Sequence, residues 1–311
     1  MTNYDLFGDP IIEKKNLKDD FLIPPFSIFD TASGDWQQRK NRWKNLGIKS
    51  EVGRENDNKG QRMTSDGRMI GLKSKKTSAI RMSEKGDDIT ENPYVSIFDP
   101  VLCEVAYNWF VPKGGSILDP FAGGSVRGVV ANYLNYLYTG IDLREEQVYS
   151  NIQQGIDIVP NNRPNWICGD SNEILDTMDR KFDFVFSCPP YYDLEVYCDD
   201  LNDLSNMSHN EFNRVYESII EKSCILLKDN RYACFVVGNC RNKDGYMMDL
   251  VGTTIRAFEK AGLHFYNDII LRQPVGSASM RAVGNMTYKK VVKVHQNVLV
   301  FCKGDPKSII I

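Results

Sequence analysis

From residue 91 onward the chain repeats one alternation, a short apolar run rich in β-branched and aromatic residues followed by a stretch with helical period. Candidate strands are SILD (116 to 119), LYTGID (137 to 142), NWICG (165 to 169), FDFVFS (182 to 187), YACFVVG (232 to 238), HFYNDIIL (264 to 271) and NVLVFCK (297 to 303). Between them lie SVRGVVANYLN, REEQVYSNIQQGI, EFNRVYESIIEKSCILL and MMDLVGTTIRAFEKAG, whose apolar residues recur at helical spacing. Strands separated by crossover helices pair in parallel and are covered on both faces, which leaves few architectures open. Seven strands with helices after the first five predict a doubly wound α/β sheet. Only a loop separates the last two strands, so these are expected to pair antiparallel at the sheet edge.

A chain of 311 residues can bury such a core and carry a small appendage besides. Its 42 % hydrophobic and 25 % charged residues are those of an ordinary soluble protein. No apolar run approaches the roughly 20 residues of a membrane span. The polar start MTNYDLFGDP has no signal-peptide core, and residence in the cytoplasm is expected. The eight cysteines are scattered without a CxxC pair, and there are three histidines, which argues against a disulfide framework or a structural zinc site.

Residues 1 to 90 read differently. An apolar patch, IPPFSIFD, precedes TASGDWQQRKNRWKNLGI, in which Trp36, Trp43 and Leu46 fall at helical steps and can dock on a larger body. The stretch from Glu51 to Asp88 has neither period and is expected to be a basic, mobile loop. The division expected is therefore an N-terminal extension (1 to 90) and a larger α/β domain (91 to 311). The net charge of −3 says little about partners, but Lys and Arg predominate from Arg39 to Arg81, and Ile269 to Gly304 contains no acid. Two basic segments in a slightly acidic chain are what a polyanion-binding face leaves in sequence; two solvated loops would leave the same.

In a doubly wound sheet the ligand lies outside the carboxyl ends of the strands. After the first strand comes DPFAGGSVRG: Asp119 ends the strand, Pro120 turns the chain, and Gly123 and Gly124 let backbone approach a ligand before a helix begins. The second strand ends at Asp142, where a carboxylate can accept both hydroxyls of a ribose, and the third at Asp170, within reach of an adenine edge. GGSVRG stands where a dinucleotide site has GxGxxG, and no GK[ST] follows, so neither a pyrophosphate turn nor a P-loop is present. What remains is a nucleoside ligand without a phosphate chain, a description that S-adenosylmethionine (AdoMet) fits.

FDFVFSCPPYYDLE (182 to 195) places two prolines and two tyrosines directly after a buried strand. Pro189 and Pro190 oblige the chain to leave the sheet stiff and extended, which suits a site better than a core.

These residues resemble the AdoMet-dependent DNA methyltransferases that modify exocyclic amino groups, adenine N6 or cytosine N4. DPFAGGS is similar to the family's cofactor motif, commonly DPFxGxG, and SCPPYYD to its catalytic motif, commonly (D/N/S)PP(Y/F). NPYVSIFDPVLCEVAYNWF resembles the upstream cofactor motif, which brings in Phe98, and KVHQNVLVFCKG resembles the closing strand. IPPFSIFDTASGDWQQRKNRW resembles the leader of phage and prophage members.

The resemblance covers about 91 to 311. It implies a class I (Rossmann-like) methyltransferase fold of seven strands, the last antiparallel, with Asp119, Pro120, Phe121, Gly123, Gly124, Asp142, Asp170 and Phe98 at AdoMet. Double-stranded DNA is the implied partner, no metal is required, and a restriction enzyme as companion and a homodimer are left open.

An aromatic amine is a poor nucleophile until acceptors draw its hydrogens out of the ring plane. In the family the first side chain of the motif and a proline carbonyl do this, positions held here by Cys188 and Pro189, with Pro190 stiffening the turn. Tyr191 then stacks on a base flipped from the duplex. Cys188 is the departure, because a thiol is a weak acceptor; Ser187, Asp193 or a water is left to take part of that role. Adenine N6 stands ahead of cytosine N4. A cysteine nucleophile for cytosine C5 is disfavoured, since that family places proline before its cysteine.

Other readings are methylation of RNA or of a protein glutamine, a catalytically silent DNA-binding module, and a mere stiff connector at CPPYY. Arg272, Arg281, Lys289, Lys290 and Lys293 are candidate phosphate contacts. Tyr192, Tyr197 and Trp36 are candidate base contacts or packing residues, and Asp193 and Glu195 candidate loop contacts.

Overall fold

The computed structural model describes residues 17–48, 98–192, 200–276, 278–309 and 311. Asp193, Glu195, Tyr197 and the proposed linker 51–88 lie outside the described residues. The strands are β1 (Ile28–Asp30), β2 (Ser116–Asp119), β3 (Leu137–Asp142), β4 (Asn165–Cys168), β5 (Phe182–Ser187), β6 (Leu227–Val237), β7 (Cys240–Arg241), β8 (Met247–Met248), β9 (His264–Arg272) and β10 (His295–Lys303). Eight of them form one sheet in the order β4-β3-β2-β5-β6-β10-β9-β1, and β7–β8 is a separate hairpin. All neighbours in the large sheet are parallel except β10, which runs antiparallel to both β6 and β9. This is a doubly wound, Rossmann-like α/β sheet, with its last strand antiparallel.

The apolar runs form strands because both faces of the sheet are covered. All six residues of β5 are buried. One face packs the helices Pro100–Phe110 and Val126–Tyr133 through Val101, Tyr107, Val129 and Val130 onto Phe184 and Phe186. The other packs His209–Leu226 and Leu250–Lys260 through Phe212, Tyr216 and Phe258 onto Val185, Phe235 and Phe301. At the amino end of β5, Asp183 accepts from the Ser116 backbone and hydroxyl, and from Lys228 at 2.9 Å, which ties β2, β5 and β6 together.

Two expectations are corrected. First, the last two strands do pair antiparallel as expected, but not at the edge: β1 covers the outer side of β9, and β10 lies between β9 and β6. Second, the connection between β9 and β10 is not only a loop, for it holds the helix Ala278–Thr287. That helix buries only Ala278 and therefore leaves no core-facing apolar period to read.

The described part of the N-terminal region packs against this body. Ile28–Asp30 adds an eighth strand beside β9. The helix Gly34–Lys44 then docks on Pro100–Phe110: Trp36 donates to Asp99 at 3.1 Å and Trp43 to Glu104 at 2.9 Å, each backed by an ion pair, Lys40 to Asp99 and Arg39 to Glu104. Trp36 is thus a packing residue. Leu46, the third of the spaced residues, lies past the helix end and is exposed.

Among the described residues no helix is long and apolar enough to cross a membrane, and no group of three His, Cys, Asp or Glu is gathered as a metal site.

Candidate active site

The strand order reverses between β2 and β5, and a cavity of about 620 Å³ opens there beyond the carboxyl ends of the parallel strands. Phe98, Pro120, Phe121, Gly123, Gly124, Asp142 and Asp170 line it, together with Cys188, Pro189, Pro190 and Tyr191. Residues as far apart in the chain as Thr31 and Gln296 therefore meet at one cavity.

The β2 side is held by a buried polar network. Asp119 does not line the cavity; it is fully buried and accepts from Arg127 Nε at 2.5 Å, the Tyr138 hydroxyl at 2.7 Å and the Ser187 hydroxyl at 2.5 Å. Arg127 in turn donates through Nη2 to the carbonyls of Phe121 and Ala122, at 2.6 and 2.7 Å. Its guanidinium lies 4.5 Å from the centre of the Phe98 ring, a cation–π contact. Burial alone would lower the Arg127 pKa, but Asp119 outweighs it and the pKa is raised; burial, reinforced by Asp119, pushes the Tyr138 phenol well up. Both groups therefore keep fixed protonation states across the physiological range. Asp119 thus acts beneath the site, as the group that shapes the Phe121–Ala122 turn.

That turn continues into Gly123, whose φ of +51° favours glycine. Its N–H donates to Asp142 at 2.8 Å, and its carbonyl accepts from Asn151 at 2.7 Å. Asp142 also accepts from the Arg144 N–H at 3.0 Å, so its carboxylate is set at the cavity wall by backbone on two sides. Asp170 caps the short helix Ser171–Ile174 and lines the cavity as well.

The β5 side is held differently. Ser187, fully buried, spends its hydroxyl on Asp119 and on the Phe121 N–H, so it does not stand in for Cys188. Tyr192 is in the left-handed region at φ +54°, and its buried ring stacks 4.7 Å from His209 and packs at a tilt 4.5 Å from Phe212. It anchors the CPPYY turn in the core and is turned away from a role at bases. Tyr191, facing the cavity, accepts a hydrogen bond from Gln296 Nε2 at 2.8 Å.

A Cβ on Gly238 would lie 3.0 Å from the Lys293 ammonium and 3.4 Å from the Tyr191 ring, so these two side chains meet at a glycine. Burial lowers the Lys293 pKa.

Of the other basic candidates, Arg272 is ion-paired with Asp30 at 2.6 Å in the β1–β9 seam, whereas Arg281, Lys289 and Lys290 sit on the β9–β10 connection, away from the cavity lining. Sequence reasoning missed Arg127, Tyr138 and Gln296. GGSVRG did contain Arg127, but nothing in the motif shows that its side chain folds back onto Asp119.

No protein-family model matches the chain, and no curated protein matches it. Its fold is similar to that of several solved structures. TrmN from Thermus thermophilus is 14 % identical over 66 % of this chain and 49 % of its own, with a TM-score of 0.45. The chain thus spans about half of TrmN. Magnesium protoporphyrin IX methyltransferase (ChlM) from Synechocystis PCC 6803, with bound SAM, is 12 % identical over 77 % of this chain and 88 % of its own, TM-score 0.42. A methyltransferase from Pyrococcus furiosus is 17 % identical over 75 % and 100 %, TM-score 0.44.

Proposed function

We propose that the protein is an AdoMet-dependent DNA methyltransferase acting on an exocyclic amino group of a flipped base, adenine N6 ahead of cytosine N4. The observation that carries this reading is one cavity lined at once by the Phe121–Gly124 turn with Asp142 and by the Cys188–Tyr191 turn. A nucleoside-sized site and a stiff Pro-Pro-Tyr platform then share one space.

The residues present fit AdoMet. The cavity is of ligand size, Asp142 offers a carboxylate at its wall, and the turn beside it is held by Arg127 through the Phe121 and Ala122 carbonyls. Asp142 would hold the ribose, Asp170 the adenine edge, and Phe98 and Phe121 would supply apolar walls. When bound, AdoMet would supply an electrophilic methyl to the amine nitrogen, the carbon–sulfur electron pair being left on sulfur.

The chain's own part is placement. Tyr191 stacks the target base, fixed at its hydroxyl by Gln296. The Pro189 carbonyl accepts one amino hydrogen and frees the nitrogen lone pair from the ring. The amine's surplus proton leaves to water, so no general base is needed.

The test is expression in a methylation-deficient bacterium followed by nucleoside mass spectrometry of digested genomic DNA. N6-Methyladenine in the DNA is the expected result. Soluble protein that binds AdoMet but leaves DNA unmodified, while methylating RNA or a protein extract, would replace this reading with another substrate.

A further inference from the structure

Two insertions stand beside Tyr191, and the methyl transfer proposed above uses neither. One is the β7–β8 hairpin, residues 240–248 (CRNKDGYMM), which begins two residues after the Gly238 that faces Tyr191. The other is the connection 273–294, which leaves the cavity at Gln273 and Pro274 and returns to it before Gln296. Both therefore spring from the rim of the site.

They meet at Lys290. Its ammonium would lie 2.7 Å from a Cβ on Gly245, in the hairpin, and sits 5.8 Å from the ring centre of Tyr288, in the connection. Gly245, at φ +90°, is thus the residue that lets the two insertions close on each other.

The hairpin is rigid. Arg241 donates to the Gly245 carbonyl at 2.7 Å, the Gly245 N–H to the Asn242 carbonyl at 2.9 Å, the Asn242 N–H to the Tyr246 carbonyl at 2.9 Å, and the Tyr246 N–H to the Asn242 side chain at 2.9 Å. Yet Tyr246, carried on this pinned turn, is 74 % exposed, and Tyr288, beside Lys290 in the connection, is 73 % exposed. An aromatic ring on an ordered backbone has already surrendered much of its freedom, so it binds at low entropic cost. On the helix Ala278–Thr287, Met280, Val283 and Met286 recur every third residue, and all three are exposed.

Charge selects the occupant. The two insertions carry Arg241, Lys243, Arg281, Lys289, Lys290 and Lys293 against one acid, Asp244, a local balance of six minus one, or +5, in a chain whose net charge is −3. Exposed apolar and aromatic groups interleaved with cations fit a partner with a polyanionic backbone and flat faces.

We infer that the hairpin 240–248 and the connection 273–294 together form a docking surface for duplex DNA flanking the flipped base, with the cations on phosphates and Tyr246 and Tyr288 against the strand opened by flipping. This rests on the function proposed above.

The experiment uses the full chain and a fluorescent duplex, with affinity read by anisotropy across a salt titration, beside nucleoside mass spectrometry and AdoMet calorimetry as a fold control. Tyr246→Ala with Tyr288→Ala keeps every cation and should weaken duplex binding roughly tenfold without changing the salt slope. Lys289→Gln with Lys290→Gln should weaken it and lower the slope by about one to two. AdoMet binding stays unchanged in both. If the wild-type protein methylates DNA while both double variants bind the duplex as it does, the surface is wrong and the function stands. If the variants lose duplex binding but the wild-type protein leaves DNA unmodified, the surface stands and the function falls. Preference of the wild-type protein for RNA over the same duplex in competition overturns the inference, because the occupant is then another macromolecule.

Discussion

On the β2 side of the cavity a carboxylate, a guanidinium, a phenol and a hydroxyl are locked together out of water, and the loop they hold has little freedom left. On the β5 side the facing turn relies on a buried left-handed tyrosine and on hydrogen bonds at Tyr191, among them one at its hydroxyl from Gln296 on a strand 105 residues further on. The first arrangement suits a ligand that is the same in every turnover. The second, held by ring packing and a few hydrogen bonds, would leave a platform able to adjust to the base of the proposed substrate. Rigidity in this site is thus distributed unevenly, and each wall has its own way of failing.

The largest effect is expected from breaking the first wall. Arg127→Met leaves Asp119 buried without its countercharge and should cost about 3–5 kcal/mol of folding stability, with AdoMet binding lost alongside. Chemical denaturation and calorimetry on the same variant measure both. A stability change near zero would mean that Tyr138 and Ser187 suffice for Asp119.

Breaking the second wall should leave the fold alone. Tyr191→Ala is expected to reduce methyl transfer by at least about a hundredfold while AdoMet affinity and unfolding midpoint stay put. Loss of both functions together would join the two walls into one unit.

Gln296→Leu tests the tether by itself. Losing one hydrogen bond of about 0.5–1.5 kcal/mol should lower the rate roughly three- to tenfold, with AdoMet affinity intact. The same change with Tyr191→Phe should add nothing further, since the phenol that Gln296 meets is then already gone.

The smallest effect is expected away from the cavity, where Asp183 serves as a control. Burial raises its pKa, but hydrogen bonds from Ser116, Lys228 and Arg231 outweigh this and hold it below the ordinary value of 3.8. Its stabilisation is therefore complete above the unfolded-state pKa and is lost as the pH falls through the lowered folded-state value. Asp183→Asn should flatten the acid limb of the stability curve, measured by urea titration at several pH values, without touching AdoMet binding.

Much of this was legible before any coordinate. FDFVFS is a strand wherever its two faces are covered, and β2, β3 and β5 begin and end where their apolar runs do. The cavity-lining residues after β2, β3, β4 and β5 were legible for the same reason, since parallel strands deliver their carboxyl ends to one edge. β1 was not, because three residues carry no period and their partner, Ile270 for Ile28, lies at the far end of the chain. The hairpin β7–β8 has two residues per strand and fails the same way.

Asp119 marks the boundary most clearly. Its position at a strand end could be read directly, but the direction of its side chain could not, and that depends on Arg127, Tyr138 and Ser187 arriving from three other elements. Local patterns of apolarity, proline and glycine act through the backbone within a few residues, so the sequence by itself determined the strands, the crossovers and the edge on which a site must lie. Which polar atoms meet there is settled by long-range packing. Only the tertiary structure decided that Asp119 lies beneath the site, that Gln296 holds Tyr191, and that two short insertions close over Lys290.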